Sequence, residues 1–298
     1  MHYMIIRPFD PWKNTSLCTC PFKYTLNPYT GCSHSCLYCY ASSYVRDFFN
    51  PRKKDRLLEH IVKDIRRVPR NSIINISSSS DPYIHLEKEL MLTRKVIEML
   101  IGSYTIEIVT KSDLVTRDID LLTRGKSVVS ITITTLNEEL AEKLEPKAPS
   151  PLKRVKAVTE LSAKGVPVVV RLDPIIPFVT DNDKNIVEIV DAVADAGAKH
   201  IVSSTYKVKW DNFNRMVSRF PNLSKNFREL YFGFGEKIHG AYYAPKDYRE
   251  KVLSKVREKV KGRGLTFSVC REGLPHLNDK NVSCDGTSLV IGNRGSDR

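Results

Sequence analysis

The sequence predicts an α/β protein: six strand–helix units curled into a partial, TIM-like (β/α)6 barrel, followed by a helical, turn-rich C-terminal extension. Three observations predict it. Short runs rich in β-branched residues alternate with stretches of helical period through the middle of the chain. Gly165 and Gly197 stand where helix C-caps belong. The chemically unusual residues follow the apolar runs, at the strand ends where a βα barrel gathers its chemistry.

Taken in order, a first strand leads into a cysteine-rich loop, and apolar runs follow at 73–76, 106–110, 128–134, 166–172 and 200–203. Helical stretches lie at 57–67, 89–101, 117–124, 137–144, 152–164 and 185–196. Asn137, before Glu138 and Glu139, and Asp183 read as helix starts. Near-continuous apolar strands joined by helices make a parallel sheet, and right-handed crossovers curl it. After residue 205 the pattern becomes helical, at 210–220, 225–238 and 246–260, and then turn-rich with Gly262, Gly264, Gly273 and Gly286. The predicted division is an N-terminal segment 1–23 with Cys18 and Cys20, a barrel 24–205, and a basic region 206–298 with Cys270 and Cys284.

A chain of 298 residues can bury a sizeable core. No 18-residue apolar run and no charged-then-apolar leader is present, so a cytoplasmic protein with no membrane partner is expected. Seven cysteines fit a reducing compartment better than a disulfide scaffold. Of the net charge of +13, +9 lies in 205–264, where 15 Lys and Arg face 6 Asp and Glu. That stretch reads as a surface for DNA, RNA or another polyanion, or as a solvated helical face with no partner.

Cys32, Cys36 and Cys39 fall within eight residues. Thiolates are the ligands of a [4Fe–4S] cluster, which ordinarily takes four. Three on one loop leave one iron open to another molecule. A zinc site favours four closed ligands, and a disulfide would strand the third thiol.

The CxxxCxxC motif resembles the radical S-adenosylmethionine (SAM) superfamily. The flanking stretches Tyr24-Thr25-Leu26-Asn27-Pro28-Tyr29-Thr30-Gly31, Ser77-Ser78-Ser79-Ser80-Asp81-Pro82-Tyr83, Thr110-Lys111-Ser112 and Pro174-Ile175-Ile176-Pro177 resemble its branch related to spore photoproduct lyase, a DNA repair enzyme. The resemblance implies that SAM chelates the open iron. One electron, from a donor such as ferredoxin or flavodoxin, then cleaves SAM to a 5′-deoxyadenosyl radical that takes hydrogen from a substrate. It also implies that Ser78, Ser79 and Asp81 hold the SAM amino group, with a capped strand-to-helix turn as the structural alternative. Lys111 and Arg171 are candidates for the SAM carboxylate. Tyr38 and Ile175 are placed against adenine, and Thr134, at the end of the fourth strand, completes the cofactor set. The lyase carries a hydrogen-donating cysteine in its barrel, whereas no cysteine lies here between Cys39 and Cys270. Tyr83, Tyr206, Tyr242 and Tyr243 are the alternative donors or simple packing residues.

Cys18, Cys20, Cys270 and Cys284 remain, the ligand number of a second, auxiliary [4Fe–4S] cluster or a zinc site; buried structural thiols are the alternative. Two enzyme readings follow, one acting on a nucleic acid base in repair or modification, the other on a peptide or small metabolite. A zinc-containing nucleic-acid-binding protein without catalysis is the third.

Overall fold

The computed structural model describes residues 4–9 and 17–291. Eight strands form one sheet in simple chain order: β1 (Arg7–Pro8), β2 (Tyr24–Leu26), β3 (Ile73–Ile76), β4 (Thr105–Thr110), β5 (Ser127–Thr132), β6 (Val168–Ile175), β7 (His200–Thr205) and β8 (Thr266–Val269). β1 runs antiparallel to β2, and every later pair is parallel. The six predicted strands are β2 to β7. The sheet gains a strand at each edge, and β8 comes from the stretch expected to be only turns. Thr-Phe-Ser-Val is too short and too little β-branched to announce itself, but the helix Lys246–Gly262 packs it parallel to β7.

Alternation along the strands sorts the core into two layers. Val129, Val168, Val170 and Ile201 join the large cluster beneath the helices. Val128, Val169 and Val202 form a separate cluster on the other face, with Cys270 against them. Gly286 packs onto that face so closely that a Cβ there would lie 2.2 Å from Val169 Cγ2. The C-terminal stretch therefore lines the concave side of the sheet. No helix among the described residues is long and apolar enough to cross a membrane.

Several helix bounds differ from expectation for local reasons. Asn137 caps its helix as predicted, accepting from Leu140 N–H at 2.8 Å. At the later helix Asn182, not Asp183, is the cap, accepting from Asn185 N–H at 2.9 Å and leaving Asp183 in the first turn. The helix expected over 89–101 breaks at Met91, because the buried Glu87 carboxylate receives the N–H groups of Thr93 (2.8 Å) and Arg94 (3.2 Å). The stretch 117–124 is split between the 3-10 helix Asp113–Asp118 and the α-helix Ile119–Leu122. The helix expected over 225–238 ends in a π turn, Glu229–Gly233. A hairpin then pairs Glu236–Ile238 with Ala241–Tyr243. Gly235 enforces that stop: a Cβ there would meet Tyr243 O at 2.4 Å and Tyr231 O at 2.5 Å.

Candidate functional site

The cysteine loop leaves β2 through a short pairing of Tyr29–Thr30 with Arg52–Lys53. Gly31 has φ +82°, and a Cβ on it would strike Phe48 O at 2.5 Å, so this approach admits only glycine. The loop is pinned by its backbone. Cys32 N–H donates to Phe48 O at 2.7 Å, and Leu37 N–H to Leu144 O at 2.9 Å. Arg215, from the helix Trp210–Arg219, donates to Cys39 O at 2.8 Å and Leu37 O at 3.2 Å. Cys32 and Cys36 are buried and Cys39 is half-buried.

Burial pushes the Cys36 thiol up to about 12, with the Glu145 and Cys39 charges adding and Lys111 opposing. Cys32 is likewise raised, by burial and then by the Asp81 and Cys36 charges. Such a trio becomes thiolate only beside a strongly positive centre, which is the donor chemistry of an iron–sulfur cluster. His34 N–H points at Cys32 Sγ, 3.5 Å away. Ser77 Oγ, at the end of β3, is buried without a hydrogen-bond partner among the described residues. An orphaned buried hydroxyl at a strand end fits a group that brings its own polar atoms. Among the described residues no three His, Cys, Asp or Glu side chains are drawn together around a single metal ion. A cubane, by contrast, spreads its thiolates over its corners.

The serine run is spent unevenly. Ser78 Oγ lies 2.8 Å from Thr25 Oγ1, Ser79 N–H donates to Asn27 Oδ1 at 3.2 Å, and Ser80 Oγ donates to Gly31 O at 2.6 Å. Asp81 is fully engaged by the protein. It accepts from Thr110 Oγ1 (2.8 Å), Lys111 N–H (2.8 Å) and Tyr83 N–H (2.9 Å), and His34 Nε2 lies 3.2 Å away. Burial would raise this carboxyl, but His34 and those hydrogen bonds hold it at about 2. Asp81 therefore ties the cysteine loop to β4, and of the four serine hydroxyls only that of Ser77 has no hydrogen-bond partner among the described residues.

Tyr38 lies beneath the loop, its phenol donating to the buried Glu145 carboxylate. Thr134 Oγ1 donates to the same oxygen at 3.2 Å. Arg154 Nη1 meets the other oxygen at 2.5 Å, the two side chains being 2% and 1% exposed. Lys111 Nζ stands 5.4 Å from the Tyr38 ring centroid. Burial would lower it, yet the Cys36 and Glu145 charges raise it. Among the described residues no carboxylate lies within ion-pair distance of Lys111, so its ammonium remains available to an incoming one.

Arg171 is placed otherwise. Its Nη2 is 2.6 Å from Asp173, and Cys270 also acts on its charge. Ile175 is buried, its carbonyl accepting from Tyr206 N–H at 2.8 Å. Tyr83 and Tyr206 donate to Asp118 (3.0 Å) and Asn212 (2.9 Å) as packed core residues. Cys20 and Cys284 come within 3.0 Å of each other. His34, Glu145, Arg154 and Arg215 were missed from the sequence. Glu145 and Arg154 come from two different helical stretches, and no local pattern marks them as partners.

Residues 26–193 match the description Radical SAM superfamily. The chain belongs to that superfamily. Its members are enzymes that use a [4Fe–4S] cluster and SAM, so the reading as a non-catalytic zinc protein is set aside. This radical SAM enzyme is 28% identical over 261 residues to an uncharacterized protein of Mycobacterium tuberculosis, covering 79% of this chain and 73% of the other. It is 23% identical over 257 residues to the radical SAM Nalpha-GlyT isomerase of Pseudomonas phage M6, covering 82% and 53%. In fold it is similar to a spore photoproduct lyase mutant with bound AdoMet and dinucleoside spore photoproduct. There the TM-score is 0.68 at 18% identity, with 88% of this chain and 78% of that one covered. The likeness supports the partial barrel and nothing finer.

Proposed function

We propose that this radical SAM enzyme acts on a nucleic acid base, presented from a single strand or flipped out of a duplex. A [4Fe–4S] cluster held by Cys32, Cys36 and Cys39 would supply the one-electron chemistry for SAM cleavage. The chain's residues do the rest. Lys111 faces the SAM carboxylate, the serine hydroxyls after β3 accept from its amine, and Tyr38 is held against the cofactor by Glu145. Burial of the loop keeps water from the reacting atoms.

The observation that carries the substrate reading is a basic, aromatic face on the helix that also clamps the cysteine loop. That helix holds the loop through Arg215, and Trp210 at its start is 57% exposed. Trp210 stacks on Phe232 with centroids 4.7 Å apart and planes 17° apart. Lys237 lies 5.5 Å over Tyr242, and Arg228 5.2 Å over Phe213. Phe213 is buried beneath, and the exposed plane of Trp210 among cations suits a stacked base and a phosphate backbone. Not all of the basic stretch contributes: Lys207 and Arg249 are buried on Glu272, and Lys255, Arg257, Lys261 and Arg263 pair with acidic neighbours. The dinucleoside named with the lyase structure is consistent with this reading.

The test is binding of a single-stranded oligonucleotide across a salt series, with 5′-deoxyadenosine measured in parallel. Affinity falling steeply with salt, and at least tenfold weaker in Trp210→Ala, is expected. Binding that ignores both salt and Trp210, or no binding at all, would move the substrate to a peptide or small metabolite.

A further inference from the structure

The sheet is open, and the stretches 17–23 and 270–285 meet across the gap. β1 and β8 are its opposite edges. Cys18 and Cys20 precede β2 beside the first edge, and Cys270 directly follows β8 at the second. Contacts join the two sides along a short seam. Thr19 Oγ1 accepts from Asn278 Nδ2 at 3.3 Å. Leu17 Cδ2 lies 3.2 Å from where a Gly273 Cβ would be. Lys23 Nζ donates to Asp285 at 2.7 Å and to Glu107 at 2.6 Å, all three side chains being buried.

Every remaining thiol of the chain gathers at that seam. Cys20 Sγ lies 3.0 Å from Cys284 Sγ, too far for a disulfide bond and closer than two unbonded sulfurs ordinarily rest. Cys18 is within electrostatic reach of Cys20, and Cys270 is within reach of Cys18, Cys20 and Cys284. Ordinary packing does not require four thiols here, because the apolar contact of this region is made by Val128, Val169 and Val202, against which only Cys270 rests. A Cys20–Cys284 disulfide would leave the other two unexplained. As in the cysteine loop, no three of these side chains are drawn together around a single metal ion among the described residues.

From this convergence we propose that Cys18, Cys20, Cys270 and Cys284 form a second metal site, closed by four thiolates. It takes an iron–sulfur cluster or, by the same donor chemistry, a zinc ion. Metal binding releases the thiol protons to solvent and changes no oxidation state of the protein. Four protein ligands leave no corner for SAM, so the site is distinct in kind from the open one. It fastens the first edge of the barrel to the last, closing laterally a sheet that hydrogen bonds leave open.

The test is metal and sulfide analysis of the full-length chain purified without oxygen, as wild type and as two variants. In Cys32→Ser/Cys36→Ser/Cys39→Ser the cysteine loop is emptied. The proposal predicts that this variant keeps about four iron with sulfide and a visible charge-transfer band, or one zinc with none. In Cys20→Ser/Cys284→Ser that second metal is lost while about four iron remain in the cysteine loop. Wild type then carries about eight iron, or about four with one zinc. A wild type with about four iron and no zinc overturns the proposal even if a variant fails to fold. A Cys20–Cys284 disulfide found by peptide mass mapping overturns it as well. Neither result touches the SAM chemistry, which the cysteine loop supplies by itself.

Discussion

The two groups of cysteines are built in opposite ways. The cysteine loop takes its three thiols from eight consecutive residues, and the rest of the chain is recruited to hold that loop. Asp81 ties it to β4, Glu145 and Arg154 support Tyr38 beneath it, and Arg215 clamps its carbonyls. The seam takes its thiols from distant stretches, Cys20 and Cys284 being 264 residues apart, and their meeting helps to join those stretches. A loop that presents a cofactor needs local geometry and an open corner. A fastening needs distance along the chain and closure, since closing a long loop removes the most chain entropy. Each region also has a buried cation, Arg154 on Glu145 in one and Lys23 between Glu107 and Asp285 in the other.

The largest expected effect separates the groups by chemistry. Cys36→Ala lowers 5′-deoxyadenosine formation by more than about a hundredfold, because a cluster with two loop thiolates is not retained. Product quantified after dithionite reduction reads it, and turnover surviving in this variant would put the chemistry elsewhere. Next come the buried cations. Arg154→Met leaves the Glu145 charge unpaired and costs about 3–5 kcal/mol in urea denaturation. Lys23→Met costs less, about 2–3 kcal/mol, because Glu107 can take a proton instead. Burial and the Asp285 charge already push that carboxyl up to about 7 against the pull of Lys23.

The two regions respond to pH with opposite sign. Glu107 sits above its ordinary 4.5, so the folded chain binds that proton first, and its contribution of about 3 kcal/mol is lost as pH rises from 4.5 through 7. Asp81 is held at about 2 against an ordinary 3.8, so its contribution of about 2 kcal/mol is present above 3.8 and lost as pH falls through 2. Urea midpoints of Glu107→Gln and Asp81→Asn across pH 3–8 should each flatten only their own limb. The smallest effect distinguishes the two cations once assigned alike to SAM. Lys111→Met weakens SAM binding about thirtyfold, near 2 kcal/mol for a lost charge-assisted hydrogen bond, whereas Arg171→Met changes it less than about threefold. Calorimetry on the reconstituted protein decides, and a reversed pattern would show that Arg171 leaves Asp173 when SAM arrives.

What the sequence made legible was local. The cysteine spacing, the Asn137 cap and the six parallel strands are short-range patterns, and the structure contains them. The misassigned features were settled by contacts between distant residues. Glu87 breaks a helix by receiving two N–H groups beyond it, and Gly235 stops another because a returning strand passes overhead. Arg171 has a nearer partner than any incoming group, since residues 171 and 173 share one face of β6 and pair there. Glu145 and Arg154 went unnoticed, since no local pattern shows that both face inward. The seam thiols could be counted in the sequence, but their convergence depends on β8, which was not foreseen.

The account rests on one iron of the cysteine-loop cluster lacking a protein ligand and accepting SAM. Electron paramagnetic resonance of the dithionite-reduced Cys20→Ser/Cys284→Ser protein, with and without SAM, tests this most directly. The account predicts a [4Fe–4S]+ signal whose g-values shift when SAM is added, the shift needing tenfold or more SAM in Lys111→Met. A signal identical with and without saturating SAM would contradict it.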